Sequence, residues 1–73
     1  MGYDVWTNRM GRNEPISCVW GTIASVRQCA RRFCASDQRE GAQYWVEANG
    51  DTGVPVAAPY VCRNGRPRLE TIY

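Results

Sequence analysis

The sequence predicts an α+β domain in which a single amphipathic helix packs across an antiparallel sheet of four or five strands, in the order β-β-α-β-(β)-β. Three observations predict it: strand-forming segments toward both ends of the chain, one central stretch with helical periodicity, and two Asn-Gly pairs of the kind that close tight hairpins. The 73 residues have room for a single domain, 1–73, with one small core. Its 44% apolar content and eight aromatic residues exceed what a disordered segment carries.

"YDVWTNR" (3–9) alternates and is rich in strand formers, and "MGRNEP" follows with turn residues. "ISCVWGT" (16–22) reads as a second strand, with Ile16, Cys18 and Trp20 on one face and Ser17 and Val19 on the other, so the two segments can pair as a hairpin. From residue 23 the period changes: Ile23, Val26, Cys29, Ala30, Phe33 and Cys34 fall within an arc of about 140° at 100° per residue, the buried face of a helix. Arg27, Gln28, Arg31 and Arg32 lie outside that arc. Ser25 with Gln28 has capping-box spacing, Thr22 is the other candidate start, and the helix should end between Ser36 and Gly41, where Gly41 can take a positive φ. "QYWVEA" (43–48) is a strand leading to the Asn49-Gly50 turn. "GVPVAAP" continues it poorly, since Pro55 and Pro59 donate no hydrogen bond and belong at an edge or in a loop. "YVCR", Asn64-Gly65 and "RPRLETIY" form a second hairpin, with Pro67 restricting where the last strand can sit.

All nine positive charges are arginine, and there is neither lysine nor histidine. Imidazole bases, histidine metal ligands and Schiff-base amines are therefore excluded. The net charge of +2 does not by itself indicate a nucleic-acid or membrane protein. The first twelve residues lack the apolar core of a signal peptide, Trp6 stands where a myristoylation signal needs Ser or Thr, and no apolar run reaches membrane-spanning length. The expectation is a soluble, unprocessed, cytoplasmic protein that does not engage a membrane.

The segment "CARRFC" (29–34) raises the question of a metal or disulfide site, with Cys18 and Cys62 as the other thiols. Cys29 and Cys34 diverge by about 140° on one helix and cannot clasp one ion or each other. Cys18–Cys29 and Cys34–Cys62 pairs remain geometrically open, but reduced thiols acting as small buried hydrophobes are expected. No metal or other cofactor is implied. Cys34 sits near the helix C-terminus, where the dipole raises a thiol pKa, and the carboxylates are scattered singly. No catalytic residue is identified, and an enzyme is not expected.

Binding is the better-supported class. Arg27 and Arg31 share an exposed helix face, and Arg63, Arg66 and Arg68 cluster about the second Asn-Gly turn. Arginine suits bidentate recognition of carboxylate or phosphate, and Trp45 or Trp6 beside an arginine would supply an apolar anchor. The stretch "NGRPR" (64–68) resembles the Gly-Arg-Pro core of AT-hook segments, with Asn64 where that family has arginine; the resemblance implies contact with the DNA minor groove. In layout, "YDVWTNR", "IASVRQCARRFCAS" and "YWVEANGDTG" in a short all-arginine chain resemble small phage or mobile-element proteins of the anti-CRISPR kind. That resemblance implies a non-enzymatic inhibitor occupying a larger host protein or ribonucleoprotein complex. The alternatives are a weak nucleic-acid binder using the same arginines, and a structural subunit or homodimer pairing through an edge strand such as 66–72.

Overall fold

The computed structural model describes residues 2–37, 39–50, 53–56 and 58–69. Six elements follow in order: β1 (Gly2–Thr7), β2 (Glu14–Trp20), α1 (Ile23–Ser36), β3 (Gln43–Ala48), β4 (Tyr60–Arg63) and β5 (Arg66–Leu69). The strands form one antiparallel sheet in the order β2-β1-β3-β4-β5. β2 and β3 both run antiparallel to β1, hence parallel to each other, and a chain joining them must cross over the sheet; α1 is that crossover. This is the α+β layout the sequence predicts.

The helix begins at Thr22, whose hydroxyl accepts from the Ser25 N–H at 3.2 Å. Ser25 is thus not the cap. It lies in the first turn, its own hydroxyl donating to the Thr22 carbonyl at 2.9 Å. The helix ends at Asp37, in extended conformation with its N–H bonded to the Phe33 and Cys34 carbonyls, rather than through Gly41. Gly41 does take a positive φ, but in the turn before β3.

The core is built by size complementarity. Val26, Ala30 and Cys34, at i, i+4 and i+8, are the fully buried stripe of α1, and their small side chains let the helix approach a sheet face carrying Tyr3, Val5, Tyr44, Val46 and Cys62. The predicted arc is therefore too wide: Ile23 and Phe33 are 44% and 40% exposed, Cys29 is half-buried, and Phe33 lies parallel to Tyr44 at 6.3 Å. Cys18, expected to be buried, is exposed.

The predicted faces of the second strand need the same kind of correction. Ser17 pairs with Val5 and Pro15 with Trp6, so Ile16 is the extra residue of a β-bulge. Ile16 packs against the core together with Val19, while Cys18 and Trp20 stand on the face away from the helix. Beyond β3, the Asn49-Gly50 turn leads to no paired strand among the described residues; Pro55 forms a single bridge with Glu47, and Asp51, Thr52 and Ala57 lie outside the described residues. The second hairpin forms as predicted, with Asn64 and Gly65 at φ 54° and 75°, the two positive values a type I′ turn requires. The predicted continuation of the last strand past Leu69 lies outside the described residues.

Asp37 ties the end of the helix to the sheet. Its carboxylate accepts from the Tyr44 hydroxyl at 2.6 Å and the Arg39 N–H at 3.0 Å, and its carbonyl accepts from the Cys62 thiol at 2.9 Å. Burial pushes the Asp37 carboxyl up, but the Tyr44 and Arg39 hydrogen bonds and the charges of Arg9 and Arg39 outweigh it, leaving the pKa below its usual value. A carboxyl lowered on folding stabilises fully above the unfolded value of about 3.9 and loses that contribution as pH falls through the folded value. Tyr44→Phe is expected to cost about 1.5 kcal/mol, and the gap from wild type should hold at neutral pH and narrow below about pH 4. Urea denaturation across that pH range checks it.

Candidate binding surface

The helix covers one face of the sheet. On the other, strand alternation places Asp4 and Trp6 of β1, Cys18 and Trp20 of β2, Gln43, Trp45 and Glu47 of β3, Val61 and Arg63 of β4, and Arg66 and Arg68 of β5. Residues 53–56 run back alongside β3, where Pro55 bridges Glu47 and the Val56 N–H donates to the Val46 carbonyl at 2.9 Å. Trp45, Glu47, Pro55 and Pro59 line a pocket of about 210 Å³ there, with Asn13, Gln43 and Gly53. The Glu47 carboxylate, 3% exposed, is held on both oxygens: Trp45 Nε1 donates to Oε2 at 2.7 Å and the Gly53 N–H to Oε1 at 2.8 Å. Thus Glu47 fastens Gly53 to the sheet, satisfying a buried indole and a backbone donor at once.

The expected tryptophan anchors sit differently from the sequence-based expectation. Trp45 is 8% exposed and committed to Glu47; Trp6 is half-buried, its indole N–H buried without a hydrogen-bond partner among the described residues. The tryptophan that presents its surface is Trp20, 75% exposed at the end of β2. Its ring lies against Gly2, where an added Cβ would come within 3.2 Å of it. Sequence alternation put Trp20 beside Cys18 correctly but could not show that β2 would be an edge strand.

The arginines separate into two groups. Arg31 is exposed on α1, whereas Arg27 is half-buried, with its guanidinium 5.9 Å from the centre of the Tyr60 ring and its Nε buried without a hydrogen-bond partner among the described residues. Arg63, Arg66 and Arg68 lie on the opposite face from the helix: Arg63 stands directly across from Arg66, and Arg68 follows two residues along the same strand. Opposed like charges at this spacing are destabilising. Glu40, 3.6 Å from Arg63, relieves part of that repulsion and also accepts the Asn64 N–H at 2.9 Å. The hairpin is therefore folded about an Asn-Gly turn, with its three arginines projecting from one side.

The register also opposes Asp4 and Glu47, a carboxylate pair not visible in the sequence. Asp4 accepts from the Asn49 side chain at 3.2 Å, and Glu47 is engaged as above. Among the described residues no group of three or more potential ligands is placed to hold a metal ion.

The four cysteines are free thiols. Burial, with the charges of Cys62 and Asp37, pushes the Cys34 thiol up to about 11, so at neutral pH it is neither a nucleophile nor a ready metal ligand. With a disulfide-exchange reagent at pH 8, Cys18 should react first, and Cys34 and Cys62 only at the rate of unfolding. Peptide mapping of the labelled chain checks the order.

No helix among the described residues is long and apolar enough to cross a membrane. No family model, curated protein or solved structure matches this chain. The functional reading therefore rests on the surface itself.

Proposed function

We propose that this chain is a stoichiometric protein-binding domain that engages its partner through the sheet face opposite the helix. The observation that carries the reading is the opposition of Arg63 and Arg66, with Arg68 alongside, on an exposed hairpin. Like charges set directly opposite one another cost folding stability. A row of guanidinium groups suits carboxylates on an acidic partner surface. Trp20 lies at the opposite corner of the same face, where it supplies the kind of apolar anchor that dominates interface energetics. In its finer form, the proposal is of a phage or mobile-element inhibitor of the anti-CRISPR kind, occupying a larger host protein or ribonucleoprotein complex.

Affinity capture of the tagged chain from a bacterial lysate, with and without nuclease, tests this function. A nuclease-resistant, stoichiometric protein partner is the expected result. The same three arginines also favour a second reading, nucleic-acid binding. If three phosphates were neutralised, log affinity would fall with log salt at a slope of about 2.7, and capture would disappear with nuclease.

A further inference from the structure

We infer that β2 is a homodimerisation edge, pairing antiparallel with β2 of a second copy about a two-fold axis at Val19. The two edges of the sheet among the described residues are β2 and β5. β5 is protected. Arg66 and Arg68 project from it, so a two-fold mate would set arginine against arginine. In a two-residue hairpin Arg63 and Arg66 form the bonded pair, which turns the Pro67 nitrogen outward and leaves that edge without a donor at its centre.

β2 is protected only over its first half, by Pro15 and the bulge at Ile16. The Gly2 carbonyl and the Asn8 N–H both bond toward β3, so the even residues of β1 face β3 and Tyr3 and Val5 face β2. Their partners Val19 and Ser17 are thereby turned inward, and the backbone N–H and C=O of Cys18 and Trp20 point out from the sheet.

Residues 15–20 carry no charge, so a two-fold copy meets no like-charge repulsion there. With the axis at Val19, Cys18 of each copy opposes Trp20 of the other. All four outward groups are then bonded, and the Cys18 sulfur of the second copy sits beside the Trp20 ring, whose face stays open on the sheet surface. A register centred on Cys18 would oppose Trp20 to the bulged Ile16 and lose part of that ladder. The Val19 axis joins two five-stranded sheets into one of ten strands. It puts both helices on one face, and the arginine clusters at the two outer ends of the other. This inference does not rest on the partner-binding reading, and either can fail alone.

Sedimentation equilibrium of the full chain under reducing conditions tests it, from roughly 1 µM to roughly 500 µM, the span suited to an interface below the standard size. A reversible monomer–dimer equilibrium is expected, weakened at least tenfold in Cys18→Pro, which removes an outward-facing donor. Because that variant can fail to fold, a second arm uses Val19→Cys in a Cys18→Ser background. Opposed residues at this non-bonded position place their Cα atoms about 4.5 Å apart, within disulfide reach. Diamide, taking up two electrons and two protons as the two thiols join, should give a dimer whose disulfide maps to position 19 of both chains. A chain monomeric at every concentration, or oxidation that gives no 19–19 disulfide, overturns the inference.

Discussion

Glu47→Ala is expected to lower stability by about 3 kcal/mol, because it leaves the Trp45 indole and the Gly53 N–H without their shared acceptor in a buried site. A domain of this size has roughly 4–11 kcal/mol in total, so the loss is a large fraction of the whole. At roughly 4–8 °C per kcal/mol, the melting temperature should fall by roughly 12–24 °C. Glu47→Gln keeps one acceptor oxygen and should lose about half as much. Calorimetry of the two variants checks the order. Equal losses would mean that Gly53 and Trp45 are held by something other than these two hydrogen bonds.

The second large effect separates binding from folding. Arg66→Glu exchanges the Arg63–Arg66 repulsion for an attractive cross-strand pair, which should raise stability by roughly 0.5 kcal/mol. In the Arg66→Glu/Arg68→Glu variant, reversing two of the three guanidinium charges should weaken the partner by at least about a hundredfold, on the scale measured when interfacial charge pairs are broken. A variant that melts no lower than wild type while losing its partner cannot be explained by damage to the fold. Thermal melts alongside captured-complex titrations show both effects.

The elements legible in the sequence were those with a strong local signal. The change to a 3.6-residue period at Ile23 marks α1, and the limits of β3 and the Asn64-Gly65 hairpin follow from strand formers beside turn residues. What escaped depends on contacts between elements. Nothing local in "EPISCVW" shows that Ile16 will be bulged, and that single extra residue separates it from Cys18 and Trp20. The burial of Trp45 escapes the sequence because nothing in "GVPVAAP" signals a segment whose Pro55 returns beside β3. The hydrogen bonds from Trp45 and Gly53 to Glu47 exist only once that segment is in place. Of the candidate binding residues, Arg63, Arg66 and Arg68 share a face because they flank a hairpin, whereas Arg27, one turn from the exposed Arg31, is half-buried with its guanidinium near the Tyr60 ring. The exposure of Trp20 follows from strand order, which the sequence does not encode locally.

The central claim is that the sheet face opposite the helix, and not the helix layer, meets the partner. Its most direct test is affinity for the captured partner, compared between Arg66→Glu/Arg68→Glu and a helix-face variant, Arg31→Glu/Arg32→Glu, at equal net charge. At least a hundredfold loss is expected for the first and less than a twofold change for the second. A loss confined to the helix-face variant would contradict it.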